Sequence, residues 1–283
     1  MKKINISVFL LVIFAAATTE ASTGPNPQTV SNDGSIEIFN QTTDEGFLLP
    51  GYTVNDGSWM QLPIPISTFG GVAAIAGDGT IISGYIYARG EYFTAYSKAV
   101  VWNQVALINN EPIYSYVELP LVIDSIYSSA DNMSENGKYI IGSSAHTITG
   151  FPSGCYWVDG DVFSFGTMIY DSYLYDVVLP YSVSNEGIIV GSASSSEHIA
   201  PQIAFMWDKT HGMRCLKDVL ESDHGYDFSG CILSQAYNIS SDGCIIDGYG
   251  YNDQGEYFDW VVTIPEPATM LFLAFGGLFL RKR

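Results

Sequence analysis

Basic residues are scarce in this chain of 283 residues, with 11 Lys and Arg set against 30 Asp and Glu. Nucleic acid is a poor partner for such a surface, because the phosphate contacts that supply most of that affinity need Lys and Arg. Helix signals are also sparse. Only Leu216 to Ser222 is predicted helical, and the rest is rich in the Tyr, Ile, Val, Ser and Gly of strands and turns. The usual catalytic signatures are missing: there is no G-x-S-x-G elbow, no H-E-x-x-H zinc motif and no phosphate-binding glycine loop. His146, His198, His211 and His224 share no spacing, which argues against a common catalytic or metal role. Cys155, Cys215, Cys231 and Cys244 form no C-x-x-C pair, so a metal cluster is not expected; free thiols and any of three disulfide pairings stay open.

What is present begins at the two ends. Lys2 and Lys3 precede an uncharged apolar run from Val8 to Ala17, and Thr19 and Ala21 offer small residues at the minus-three and minus-one positions of a cleavage site before Ser22. This is the layout of a secretory signal peptide over residues 1–21, with the Sec translocon as the implied partner; the run is too short for the roughly 20 residues of a membrane span. At the other end Pro265, Glu266 and Pro267 precede an uncharged run from Ala268 to Leu280, followed by Arg281, Lys282 and Arg283. As a helix that run covers roughly 20 Å of a hydrocarbon core of about 30 Å. Such a segment is a marginal span, and three cations that resist crossing would stop translocation and hold the body outside.

The ordered Pro-Glu-Pro triplet, short apolar helix and terminal basic cluster over residues 265–283 closely resemble the PEP-CTERM sorting signal. That resemblance implies recognition and cleavage near Pro265 to Pro267 by an exosortase. It further implies transient tethering in the membrane followed by delivery to the cell surface or extracellular matrix, in bacteria that make exopolysaccharide and biofilm. Without both signals the expected mature body is residues 22–264, with 6 basic and 28 acidic residues and a net charge of 6 − 28 = −22. Its size suits one well-buried domain, and its acidity suits solubility outside the cell.

The body repeats itself. Ile75 to Gly84 (IAGDGTIISG) is echoed by Met133 to Gly142 (MSENGKYIIG), Val183 to Gly191 (VSNEGIIVG) and Ile239 to Gly248 (ISSDGCIIDG), with a weaker first copy starting at Val30 (VSNDGSIEI). Each reads as a strand, a polar turn whose Gly supplies positive φ, and a second strand. About 20 residues later comes a Trp in an apolar strand: Trp102, Trp157, Trp207 and Trp260, with Trp59 as the candidate counterpart in the first copy. A large ring at a regular offset is expected to bury itself between neighbouring repeats. A period near 50 residues with several strands per unit predicts an all-β, β-propeller-like body of about five four-stranded blades; a right-handed β-helix, whose coils are usually shorter, is the competing fold. Ala204 to Trp207, Gly212-Met213, and Ala236 to Gly248 resemble the extracellular HAF repeats that often precede such tails. That resemblance implies a propeller-like body and carries no enzymatic activity with it.

Asp124, Asp131, Asp176 and Asp247 are the carboxylates to weigh for glycoside chemistry, which needs a pair at a defined separation. Asp247 is the unusual one, standing where other copies have Ser83, Ile141 or Val190; a place on the wet face of its strand is the simpler expectation. Turn acids such as Asp78, Glu186 and Asp242 are expected to serve backbone geometry. Calcium could sit at Asp159-Gly-Asp161, at Asp208, or at Asn252 to Glu256, although none has the spacing of a dedicated calcium loop. The expectation is a non-catalytic binding or structural propeller without a cofactor, with extracellular polysaccharide a conceivable partner. A carbohydrate-active enzyme with carboxylates in a central funnel and a calcium-dependent adhesin are the alternatives.

Overall fold

In a computed structural model the described residues are 27–88, 97–145 and 152–264. They form six small antiparallel sheets, five of them stacked in chain order as blades, so the body is all-β and β-propeller-like. Blade 1 holds β1 (Ile36–Thr42), β2 (Leu48–Val54) and β3 (Met60–Gln61). Blade 2 holds β4 (Thr68–Ile75), β5 (Ile81–Ala88), β6 (Lys98–Ile108) and β7 (Glu111–Glu118). Blade 3 holds β8 (Tyr127–Met133), β9 (Tyr139–Ala145), β10 (Ser153–Val158) and β11 (Asp161–Ser164). A short hairpin, β12 (Met168–Tyr170) and β13 (Tyr173–Tyr175), leads to blade 4: β14 (Val177–Val183), β15 (Ile189–Ser194), β16 (Ile203–Asp208) and β17 (Gly212–Cys215). The helix α1 (Leu216–His224) follows where the sequence predicted one, ended by Gly225 at φ 71°. Blade 5 holds β18 (Cys231–Ile239), β19 (Ile245–Asn252) and β20 (Tyr257–Thr263).

Three of the blades are four-stranded. Blade 1 reduces its inner strand to a bridge between Val30 and Glu37, and the described part of blade 5 has three strands. Every repeat glycine has a structural reason. The first, at Gly34, Gly79, Gly137, Gly187 and Gly243, closes the turn between the two inner strands with φ between 70° and 80°. The second, at Gly84, Gly142, Gly191 and Gly248, has an ordinary φ, but a Cβ there would lie within 2.1 Å of a carbonyl on the inner strand, such as the Ser129 carbonyl beside Gly142, whose strand partner is Ala130. The residue missing from the third copy is absorbed in its turn: Ile189 pairs with Val183 two residues before Gly191, just as Ile140 pairs with Met133 two before Gly142.

Turn acids brace these hairpins. Asp78 accepts the Thr80 N–H at 2.9 Å and Asp242 accepts the Cys244 N–H at 2.9 Å. The turns are also tied to one another: the N–H of Asn32 donates to the Gly77 carbonyl, that of Gly77 to Glu135, and that of Asn185 to Ser241. Asn136 N–H bonds the Asn185 amide oxygen at 2.9 Å, completing a belt from blade 1 to blade 5.

The core lies between blades. Each blade has a leading face toward its predecessor and a trailing face toward its successor, and apolar clusters fill all four junctions. Trp102, Trp157, Trp207 and Trp260 all project from leading faces, as their spacing predicted. Three share one register, two residues beyond the position paired with the second glycine (Val100, Cys155 and Phe205), whereas Trp260 itself pairs with Gly248. Trp59 departs from the pattern: it lies in the link before β3, over Gly51, and its expected place on the third strand of blade 1 is taken by Thr53.

Among the described residues the stack is open at both ends. Ile75, Met133, Val183 and Ile239 on leading faces are at most 7% exposed, whereas their counterpart Val30 in blade 1 is 38% exposed. Val101, Tyr156 and Met206 on trailing faces are at most 9% exposed, whereas Val261 in blade 5 is 59% exposed. Among the described residues no backbone hydrogen bond joins blade 5 to blade 1. The side chains at the ends account for this. Exposed Glu37 stands where Ile82, Ile140 and Ile246 fill the internal leading faces, while Thr53, small and itself buried, stands where Trp102 does. Polar outer faces are how stacked repeats terminate without aggregating.

Candidate functional site

The inner strands share a bulge. In β4, β8, β14 and β18 the register slips by one residue at Ala73, Asp131, Tyr181 and Tyr237, each six positions before its turn glycine. A bulge re-aims the extra side chain, and here it directs one residue per blade over the trailing face of its own second strand. In blade 3 the aimed residue is Asp131, with Ser129 and Ser143 beside its carboxylate. In blade 4 the Tyr181 hydroxyl meets Ser192 Oγ at 3.0 Å, and Gln202 Nε2 donates to the same oxygen. In blade 5 it is Tyr237, whose ring lies 6.1 Å from Tyr181 and 5.5 Å from Tyr249.

Water reaches Asp131, yet surrounding protein desolvates it strongly, and burial raises its pKa from 3.8 to about 6. Tyr85 of the preceding blade and Cys155 of its own both feel its charge. Cys155 is a buried thiol raised to about 12 by desolvation. No disulfide joins the four cysteines, and Cys215 and Cys231 line a rim cavity of about 230 Å³ with Tyr170, Tyr175 and Lys217. That volume is below the roughly 300 Å³ at which ligand pockets begin.

From Tyr237 the site spreads outward over the uncovered trailing face of blade 5. Tyr249 and Tyr257 stack with centroids 5.2 Å apart at 25°, and Tyr251 stands across both, at 86° to Tyr249 and 77° to Tyr257. Two carboxylates share the face. Asp259 pairs with Tyr249 in the strand register and accepts a short hydrogen bond from the Tyr257 hydroxyl. That bond is the first cause raising the Tyr257 pKa, while burial pushes Tyr237 up to about 12. Asp247 accepts from Asn238 Nδ2 at 3.0 Å; desolvation raises its pKa, and the charge of Asp259 raises it further. The position of Asp259 is held by Ala99, Gly154 and Ala204 in blades 2 to 4, where a small residue lets the next inner strand approach: the missing Cβ of Gly154 would meet the Val178 carbonyl at 2.7 Å. A carboxylate there bars a further blade.

The four weighed carboxylates are dispersed in role. Asp124 occupies a left-handed turn at φ 64° in the link between blades 2 and 3. Asp176 is held below the usual carboxylate range by Ser196, whose hydroxyl donates at 2.6 Å and whose N–H donates at 2.7 Å. Asp131 and Asp247 are the two on trailing faces. Among the calcium candidates, Asp208 is already engaged by His211, by Arg214 at 3.1 Å and by turn amides, and Asn252 bonds Glu256 within one turn. Among the described residues no group of three metal-ligating side chains occurs. Ala21, Ser22, His146 and the tail residues Pro265, Glu266, Pro267, Arg281, Lys282 and Arg283 lie outside the described residues. Among those described, no helix is long and apolar enough to cross a membrane.

The tyrosines of blade 5 and Asp259 were not singled out from sequence. A signal exists in the offset of six residues before the turn glycine, which picks out Asp131, Tyr181 and Tyr237. Asp259 was hidden because aligning the repeats on Trp260 misplaces it by two residues.

No protein-family model matches the chain, and no curated protein is similar to it. Among solved structures it is similar to TolB from Acinetobacter baumannii (9% identity, TM-score 0.42, covering 81% of this chain and 53% of that one). It is also similar to prolyl oligopeptidase B from Galerina marginata (8%, 0.47, 84% and 34%) and to the BP39L lectin from Burkholderia pseudomallei (9%, 0.39, 85% and 66%). The chain thus matches between about a third and two thirds of the length of those proteins.

Proposed function

We propose that this chain is an exported PEP-CTERM protein of the cell surface or extracellular matrix, processed by an exosortase, whose propeller-like body binds extracellular polysaccharide and does not turn it over. The observation that carries the binding reading is the trailing face of blade 5, where Tyr251, Tyr257 and Asp259 are exposed and Asp259 holds the position that Ala99, Gly154 and Ala204 bury in blades 2 to 4. Exposed aromatic rings set among carboxylates and hydroxyls suit sugars, which offer both apolar ring faces and hydroxyl donors. The sorting part rests on the ordered triplet, apolar run and basic terminus of residues 265–283. Intact-mass measurement of surface material should show a chain ending near Pro267; a chain retaining Arg283 would reject exosortase processing. Retention of the protein on immobilised extracellular polysaccharide without release of reducing ends supports the binding body.

One observation favours a second reading, a carbohydrate-active enzyme: a carboxyl raised to about 6, as at Asp131, is what a general acid needs. Turnover of any polysaccharide that disappears in Asp131→Asn would establish that reading in place of the first.

A further inference from the structure

We propose that the trailing face of blade 5 binds a cationic glycan, a hexosamine polymer with free amino groups, through Tyr237, Tyr249, Tyr251, Tyr257, Asp247 and Asp259. The inference rests on the binding reading above and narrows its ligand. Tyr249 and Tyr257 lie nearly parallel and Tyr251 closes across them, which makes an aromatic corner. Aromatic faces present negative charge and attract ammonium groups within about 6 Å. Asp259 and Asp247 flank that corner, close enough for one charge to perturb the other.

Among the described residues no cation answers them. The described Lys and Arg are Lys98, Lys138, Lys209, Arg214 and Lys217. Lys98 pairs with Glu118, Arg214 with Asp208 and Asp223, and Lys217 with the Cys231 carbonyl and Glu221. Lys138 covers Tyr139 in blade 3, and Lys209 follows Asp208 in the turn between β16 and β17. Among the described residues the face is thus aromatic and anionic, with no counter-charge. A uronic acid polymer would meet uncompensated repulsion there, a neutral glycan would leave both carboxylates unanswered, and an amino sugar supplies the missing charge together with a ring to pack on the tyrosines.

The test measures binding of the full chain at about pH 6, where sugar amines are largely protonated, to three oligosaccharide probes of equal length: glucosamine, N-acetylglucosamine and uronic acid oligomers. The glucosamine oligomer should bind tightest, and both Asp247→Asn/Asp259→Asn and Tyr249→Ala/Tyr257→Ala should weaken it at least about tenfold. Asp159→Asn/Asp161→Asn, which removes equal charge from the turn between β10 and β11, should leave it unchanged. Equal weakening by the two Asp pairs would mean bulk attraction to an acidic protein and would overturn the site. Preference for the acetylated or uronic oligomer overturns the cationic ligand while leaving the binding reading intact, and binding of none of the three removes that reading as well. A dimer of the unliganded protein that Asp247→Asn/Asp259→Asn disperses would assign the face to a second copy instead. Unchanged circular dichroism of each variant excludes unfolding as the cause of lost binding.

Discussion

The indole N–H of Trp157 donates to the Pro120 carbonyl at 2.8 Å, from the third strand of blade 3 to the link that leaves blade 2. Trp102 does the same to Pro63 one blade earlier, also at 2.8 Å. Each ring thereby fills a junction with apolar surface and satisfies its one polar atom on chain that cannot form a ladder there. In blade 5 the shifted Trp260 has no such partner for its buried Nε1.

Trp157→Phe should therefore cost about 1–2 kcal/mol, from the lost hydrogen bond and the stranded Pro120 carbonyl, and Trp157→Ala about 3–5 kcal/mol. Trp260→Phe should be milder, since it removes an unsatisfied donor. Urea denaturation of the three variants checks the order.

Gly142→Ala should destabilise by about 3 kcal/mol, because the new Cβ would lie 1.9 Å from the Ser129 carbonyl and force the β8 bulge to open. Gly34→Ala places its Cβ in open space and meets only the strain of φ 72°, so about 1 kcal/mol is expected. Thermal melts of the pair separate close approach from backbone conformation.

Asp131 binds its proton more tightly in the folded chain than in the unfolded one, so its ionisation opposes folding. The penalty is absent below pH 3.8, grows as pH rises, and is complete above about 6. Asp131→Asn should match the parent near pH 3.8 and be more stable above pH 6. Water contact with the carboxylate reduces the gain to about 1 kcal/mol. A variant no more stable than the parent at neutral pH would contradict the desolvation of Asp131.

Asp247→Val/Asp259→Ala gives the last trailing face the small and apolar residues of blade 4, where Val190 and Ala204 stand. The variant should self-associate, because an exposed apolar end face without these two charges no longer carries their desolvation penalty on contact. Sedimentation velocity should show the parent monomeric and the variant in larger species; a monomeric variant would mean that these two carboxylates are not what keeps the end open.

The repeat architecture was legible in the chain because its turns are local. A glycine at positive φ, an acid two residues before the N–H it accepts, and a Trp on a buried strand leave marks at fixed spacing, and α1 announced itself between Leu216 and Ser222. Asp247 stood out for the same reason, as a carboxylate in a position that is otherwise apolar or small.

Other features were decided only when the strands paired. A bulge is a property of two strands, so the shared offset of Asp131, Tyr181 and Tyr237 from their turn glycines acquires its meaning only once the strands pair. Asp259 acquires its meaning from lying opposite Tyr249, and Trp59 loses its expected role because Thr53 holds the register opposite Glu37. The sequence by itself determined five turn-and-strand units and the placing of Trp102, Trp157, Trp207 and Trp260 on apolar strands, since those depend on backbone conformation within a few residues. Only the tertiary structure decided that the stack stays open and which face of which blade is left uncovered, because that depends on side chains distant in sequence meeting, or failing to meet, across a sheet junction.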